Sequence, residues 1–405
     1  MQSSSAGLRV VGVSLPDVSD WREPLPQGQW SQFYSHLARR VELIDVIRPQ
    51  LSQAQRYLNF ARTFHPRKSR WKATAGFNRS LATTLTEAAQ RGLSRHEGSY
   101  DLIMQLQTLC APGFDRTGIP YAIYTDNTMA LTQRIYPAWS PLSAKDSAWW
   151  TQYESEICRS AAAVFTYSEF ARRSVIDDYG CLPDSVVAVG AGANQLLDSL
   201  GEKDYSTPRA LFVGVGFTVK GGHVLLEAWP IVRERVPDAE LIIAGPTQEP
   251  KAALPTGVSW MGWVDRARLA SLYQAASVFV LPSLFEAWGH VLLEAMGHGL
   301  PCIGTSCCAM SEIIDEGVTG RLVPRYESEP LAEALIELLT NPDKASAMGH
   351  AAHARVLREH RWTDVLDRVM AHLDTVSLSR QPKPDSPSER FEELARDVGR
   401  EDGHH

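Results

Sequence analysis

The chain of 405 residues exceeds what one ordinary hydrophobic core supports, and its 44% hydrophobic content is enough to fill two. A formal net charge of −7 argues against a nucleic-acid binder. No apolar run approaches the roughly 18 residues of a membrane span, and Met1–Gly7 is polar without a signal-peptide core, so a cytoplasmic protein is expected. The six cysteines (Cys110, Cys158, Cys181, Cys302, Cys307, Cys308) form no framework and no Cys/His cluster has metal-ligand spacing, so no metal is assigned.

From the N-terminus, Leu8–Ser14 (LRVVGVS) reads as a first buried strand and Pro16–Gly28 as a loop. Apolar residues at Trp30, Phe33, Tyr34 and Leu37 then have helical spacing over Trp30–Arg40, with Gly28 near the helix start. Between Val46 and Thr86 there is no acidic residue but eight basic ones: Arg48, Arg56, Arg62, Arg67, Lys68, Arg70, Lys72 and Arg79. Interleaved with Tyr57, Phe60, Phe64, Trp71 and Phe77, they suit an anionic membrane surface, a polyprenyl phosphate or a charged glycan; a solvated helical face is the alternative. Tyr100–Gln105 and Ile119–Tyr124 read as strands, the second leading into Asp126-Asn127. An aromatic, acidic helix over Trp149–Ser160 precedes a strand at Val164–Tyr167, with Ser168 as the cap of a helix that carries Arg172 and Arg173.

Gly190–Asn194 breaks the periodicity and Gln195–Pro208 is polar, which marks a linker. A second α/β unit starts at Ala210–Val213, where LFVGVGFTVKGG is a glycine-rich strand-to-helix turn carrying Lys220. Glycines let backbone N–H groups approach a phosphate and the lysine adds charge, although the order K-G-G is neither a P-loop nor G-x-G-x-x-G. Glu240–Gly245 and Val258–Val264 read as strands and Arg266–Ala275 as a helix. The stretch FVLPSLFEAWGHVLLEAMGHG follows, with an apolar strand over Val278–Leu281, a break at Pro282-Ser283, a helix ending at Gly299, and another strand over Pro301–Thr305. In such a unit ligands sit beyond the carboxyl ends of the strands. Glu286 and Glu294, on either side of Gly289, are placed to accept hydrogen bonds from sugar hydroxyls; the plainer alternative makes Glu286 a solvated loop residue and Glu294 a surface charge.

The run E-A-W-G-H-V-L-L-E-A-M-G-H-G-L-P resembles the E-x7-E signature of retaining family 4 glycosyltransferases, which have the GT-B fold. The resemblance extends from Ala161 to Leu373 and is strongest from Gly262 to Pro324. It implies an α/β protein of two Rossmann-like domains with parallel sheets facing across a cleft. Residues 1–195 would bind the acceptor, 205–360 the nucleotide-sugar, 361–376 would form a helix crossing back, and 377–405 a mobile tail.

By the same resemblance Glu286, Lys220 and Asp126 are the catalytic candidates. Gly214, Gly216, Gly221, Val264, Ala287, Trp288, Gly289, His290 and Glu294 would hold the donor, and Gly28 and Asn127 lie on the acceptor side. The implied reaction moves a sugar from a nucleotide-diphosphate donor, of UDP or GDP type, to a glycan, lipid-linked or small-molecule hydroxyl. It needs no cofactor, no metal and no nucleic acid, and peripheral association with an anionic membrane at its inner face is compatible with it. The sequence departs from the family pattern in three places. Val215 replaces an arginine, Cys308-Ala309 replaces a glycine pair, and Thr125 and Asp126 stand where members carry a histidine. A glycosidase-type carboxylate pair is the competing chemistry, and a silent nucleotide-sugar-binding protein of the same fold is the competing class.

Overall fold

The computed structural model describes residues 7–14, 28–111, 118–246, 248–249 and 253–376; the loop read at Pro16–Gly28, Gly28 apart, and the tail read at 377–405 lie outside the described residues. Twelve strands in the described residues form two six-stranded sheets, and every pairing in them is parallel. The chain divides into two compact units at Val189/Gly190 and again at Val365/Leu366, with Ser168–Phe170 counted in the second.

The first sheet has the order β2-β1-β3-β4-β5-β6. Its strands are β1 (Arg9–Ser14), β2 (Glu42–Ile47), β3 (Leu102–Leu106), β4 (Tyr121–Thr125), β5 (Ala163–Thr166) and β6 (Val186–Ala188). β3, β4 and β5 are buried along their whole length, as expected where helices cover both faces of a parallel sheet. The helix Gln29–Leu37 begins after Gly28, whose φ of 81° a side chain would strain, and it buries Phe33, Tyr34 and Leu37. The Tyr34 hydroxyl donates toward the carbonyls of Val13 (3.1 Å) and Met104 (3.0 Å), and its ring fills the space where a Cβ on Gly12 would lie 2.6 Å away. After Leu366 the last helix, Trp362–Leu373, belongs to this unit, where Asp367 pairs with Arg40 at 2.6 Å and Arg368 donates to the Val189 carbonyl.

The second sheet has the order β12-β11-β10-β7-β8-β9. Its strands are β7 (Arg209–Val213), β8 (Glu240–Ala244), β9 (Val258–Gly262), β10 (Val278–Leu281), β11 (Cys302–Thr305) and β12 (Gly320–Val323). The chain enters at the centre, runs outward through β8 and β9, then returns to β10 on the other side of β7 and runs outward again. The direction of winding therefore reverses between β7 and β10, which pair at Val278↔Ala210 and Phe279↔Leu211. At such a reversal the loops leaving two adjacent strands diverge and open a crevice at their carboxyl ends.

Three strands escape a reading by pattern. β2 carries Glu42 and Asp45 and forms one edge of the first sheet, β6 is only three residues long, and β12 opens with Gly320 and Arg321. Edge strands lack the continuous apolar signal of central ones. β9, the other edge of the second sheet, ends at Gly262 rather than Val264 and alternates in burial. The segment read as a linker is packed onto the second unit: Ala191 and Ala193 are buried, the Tyr205 hydroxyl donates to the Gly299 carbonyl at 2.6 Å, and Lys203 donates to the Tyr273 carbonyl at 2.7 Å. Tyr205 and Lys203 serve these bonds, while Asp198, Ser199, Glu202, Asp204 and Ser206 face solvent.

A buried carboxylate organises the first unit. Glu154, in the helix Ala144–Ser160, accepts from the Thr108 hydroxyl (2.7 Å), the Met129 amide (2.8 Å), the Trp150 indole (3.2 Å) and the Tyr179 hydroxyl. Burial raises its pKa, and these four donors offset part of that rise. Replacing it leaves several buried donors without an acceptor, each worth about 1–3 kcal/mol. Glu154→Ala is expected to lower the stability of the first unit by about 3 kcal/mol or more, read from its urea transition; a loss under about 0.5 kcal/mol would contradict this role.

Candidate functional site

The reversal between β7 and β10 sets two loops against each other. After β7 the chain turns through Gly214–Lys220 and enters the helix Gly222–Arg235 at Gly221, which has φ 71°. A Cβ on Gly221 would overlap the Pro282 carbonyl, so the approach of the turn to the loop after β10 requires glycine for space as well as for φ. The Leu284 amide donates to the Val219 carbonyl at 2.8 Å and closes the junction.

Across this junction Lys220 Nζ lies 2.5 Å from Glu286 Oε2, and the Ser283 hydroxyl donates to the same oxygen at 3.2 Å. Glu286 is 7% exposed, so its charge is met by these partners rather than by bulk water. Glu286 is not a solvated loop residue. The loop continues through Ala287 and the buried Trp288 to Gly289, whose φ of 105° turns the chain into the helix His290–Gly297. The Leu292 amide bonds the Gly289 carbonyl at 2.9 Å, and the amides of the first turn give this helix start positive potential beside the carboxylate and the ammonium. His290 is held neutral: burial lowers its pKa to about 3, opposed by a hydrogen bond with the Gly192 backbone and assisted by His360 and Lys220.

Glu294 is one turn further in and 8% exposed, so it is not a surface charge either. The Tyr273 hydroxyl donates to it at 3.3 Å, and Asn194 and Arg266 also stabilise its charged form, against a burial effect that raises its pKa. Arg266 in turn donates to the Asn194 carbonyl at 2.9 Å. Val264 is half-buried just beyond β9. Gly214 is buried against Lys220, and a Cβ on Gly216 would lie 2.9 Å from Val219. Val215, in the position of the absent arginine, is 74% exposed. Glu286, Glu294, Lys220, Gly214, Gly216, Gly221 and Gly289 thus lie on neighbouring loops and helices of one sheet.

The remaining candidates belong to the first unit. Gly28 caps the helix Gln29–Leu37. Asp126 follows β4 and accepts from the Gln107 side-chain amide at 2.9 Å, while the Asn127 side chain donates to the Thr132 hydroxyl at 2.7 Å. Gln107 has a left-handed backbone, φ 64°, a conformation uncommon outside glycine, and it also accepts from Thr125 at 3.1 Å. Gln107, Ser283, Tyr273, Asn194 and Arg266 were not singled out in the sequence, because a lone polar residue has no signature until the fold supplies its neighbours.

Parallel sheets with a switch-point crevice define a class, and comparison with known proteins agrees with it. Sucrose-phosphate synthase from Thermosynechococcus elongatus superimposes with a TM-score of 0.68 at 18% identity, covering 92% of this chain and 100% of that one. Anabaena Alr3699/HepE in complex with UDP-glucose gives a TM-score of 0.62 at 14% identity, covering 91% and 100%. The fold is GT-B. Residues 207–341 match the family model described as glycosyl transferases group 1. Phosphatidyl-myo-inositol mannosyltransferase of Mycobacterium leprae (strain TN) is 34% identical over 166 residues, which is 40% of this chain and 44% of the relative. The chain thus spans less than half the length of the curated relatives it matches here.

The Lys220–Glu286 pair makes a measurable prediction without substrate. Lys220→Ala removes the cation from a buried carboxylate and is expected to destabilise the second unit by about 2–4 kcal/mol, whereas adding Glu286→Gln recovers part of the loss. Strict additivity of the two changes in denaturant titration would contradict the coupling.

Proposed function

We propose that this protein is a retaining glycosyltransferase that transfers a sugar from a nucleoside-diphosphate donor to an acceptor hydroxyl. The observation that carries the reading is the meeting of Lys220 and Glu286 at the carboxyl ends of β7 and β10, beside the helix start at Gly289-His290. A diphosphate at that helix start meets backbone N–H groups and Lys220, which turns from Glu286 toward it. Glu286 then accepts hydrogen bonds from the transferred sugar, and Glu294 from the ribose. His290, being neutral, contributes its backbone amide and no charge. Gly214, Gly216 and Gly221 let the turn approach the phosphates, and Val264 borders the base, of uridine or guanosine type.

The acceptor oxygen attacks the anomeric carbon on the face from which the diphosphate departs. The bond from that carbon to the phosphate oxygen breaks, and the acceptor proton passes to the departing diphosphate. Configuration is retained and no protein nucleophile is used. Because Lys220 and the helix start meet the developing charge, the reading invokes neither a cofactor nor a divalent metal. Asp126, Asn127 and Gly28, on the first unit, are assigned to the acceptor. Slow hydrolysis of the sugar nucleotide without acceptor distinguishes this enzyme from a silent binder.

The acceptor reading extends to a lipid surface. Among the described residues the helix Gln53–Arg62 buries none of its side chains, and Tyr57 (68%), Phe60 (46%) and Phe64 (67%) are exposed beside Arg56, Arg62, Arg67, Lys68 and Arg70. A merely solvated face does not need exposed aromatics; an anionic interface uses both features. The Mycobacterium leprae relative is named for a phosphatidyl-myo-inositol acceptor, which agrees with a lipid-linked hydroxyl. Among the described residues no helix is long and apolar enough to cross a membrane, so contact by this reading is peripheral.

Two measurements check these assignments. In calorimetry with UDP and GDP, Glu294→Ala is expected to weaken the binding nucleotide by about 1.5–3 kcal/mol, whereas Glu286→Ala spares free-nucleotide affinity, since Lys220 is released, and loses donor turnover instead. Equal nucleotide affinity in wild type and Glu294→Ala removes the ribose assignment. Co-sedimentation with anionic vesicles is expected to exceed that with neutral ones, to fall with salt, and to weaken by about 1 kcal/mol per basic residue removed from Arg56–Arg70; equal retention on both vesicle types rules out the lipid surface.

A further inference from the structure

The loop after β11 carries Cys307 and Cys308, the second of which stands, with Ala309, in place of the glycine pair of the family that the sequence resembles. Their sulfurs are 2.8 Å apart and both residues are half-buried, whereas Cys110, Cys158, Cys181 and Cys302 are buried. Cys308 has φ 58°, a left-handed backbone that disfavours any residue with a Cβ, and so holds its sulfur against that of its neighbour. The pair is built into the back of the Glu286 loop. The Ala309 amide donates to the Glu286 carbonyl at 3.4 Å, the Cys307 thiol points at the Leu284 carbonyl at 4.0 Å, and Arg325 donates to that same carbonyl at 3.0 Å.

We propose that Cys307 and Cys308 form a modification site for two-electron oxidants of the peroxide class, which close the pair to a vicinal disulfide and loosen the backbone that holds Glu286. The chemistry balances in two steps. The Cys307 thiolate attacks one peroxide oxygen, the O–O bond breaks, and hydroxide leaves and is protonated to water, giving a sulfenic acid. Cys308 sulfur then attacks Cys307 sulfur, the S–O bond breaks, and the leaving hydroxide takes the Cys308 proton as water. Two thiols and one peroxide give one disulfide and two waters; sulfur loses two electrons and peroxide gains them.

Selectivity follows from the surroundings. The Cys308 hydrogen bond lowers the Cys307 pKa and Arg325 adds to the effect against burial, which favours the thiolate at Cys307. Burial pushes the Cys110 thiol up to about 12 and the Cys181 thiol up to about 11, and raises those of Cys158 and Cys302, so these four stay protonated. Closure rotates the peptide ahead of Ala309, whose amide bonds the Glu286 carbonyl, and so removes a support of the Pro282–Gly289 loop. The modification stands by itself. Its effect on donor turnover rests on the reading of Glu286 given above.

The test treats the reduced full-length protein with hydrogen peroxide and follows intact mass, peptide mapping and amide exchange. The expected result is a loss of about 2 Da located in the peptide containing both residues, reversed by dithiothreitol, with exchange across Ser283–Gly289 several-fold faster. Cys308→Gly, whose residue suits φ 58°, is expected instead to gain about 16 or 32 Da at Cys307 and to keep slow exchange. No mass loss in that peptide, or a mapped disulfide with unchanged exchange at Glu286, overturns the proposal. Both readouts are independent of glycosyl transfer, so a failure of the enzyme reading appears separately, as absent turnover in the reduced protein.

Discussion

The approach of two backbones at Gly221 and Pro282 is the constraint on which the site depends. It exists because the second sheet reverses its winding between β7 and β10, so that loops from adjacent strands leave in different directions and face each other at the strand ends. Glycine at 221 permits the contact, the Leu284–Val219 hydrogen bond fixes it, and Lys220 and Glu286 are brought within 2.5 Å as a result. Two charges 66 positions apart in sequence thereby neutralise each other where neither has much water. Such a pair is weak evidence for stability, because desolvation offsets much of the Coulombic gain, but it keeps a cation and an acceptor oriented toward the same crevice. A ligand carrying both negative charge and hydroxyl groups satisfies both partners at once.

The same constraint explains the packing around the pair. The loop after β10 has to leave the junction at Pro282, pass Glu286, and turn into a helix within a few residues, which forces the positive φ at Gly289. The end of β11 and the loop after it support it from behind, through Thr305, whose hydroxyl donates to the Ser283 carbonyl at 2.8 Å, and through Ala309. Glycines at this support would leave a pliant backbone; Cys308 and Ala309 make it stiffer and place two sulfurs where chemistry can reach them.

Much of the second unit was legible because its central strands are short apolar runs bounded by glycine and proline, and its candidate carboxylates, Glu286 and Glu294, stand at fixed offsets from Gly289. The strand and helix at Val278–Gly297 fall where that pattern puts them. What the sequence did not reveal is of two kinds. Edge strands such as β2, with Glu42 and Asp45, lose the apolar signal, and packed polar segments such as Gln195–Pro208 look like linkers until their partners, the Gly299 and Tyr273 carbonyls, come into view. Glu154 shows the same limit: an acidic residue in a helix reads as surface, and only the meeting of Thr108, Met129, Trp150 and Tyr179 around it explains its burial. Pairings between residues far apart in the chain, Lys220 with Glu286 above all, follow from topology, which a one-dimensional pattern carries only by resemblance to a known arrangement.

The most direct test of the central claim is a crystal structure of the protein with a non-hydrolysable nucleoside-diphosphate sugar. The account predicts the diphosphate at the Gly289-His290 helix start, Lys220 Nζ moved from Glu286 to a phosphate oxygen, and Glu286 within hydrogen-bond distance of a sugar hydroxyl. A ligand bound elsewhere on the chain, with the Lys220–Glu286 pair intact at its present separation, would contradict it.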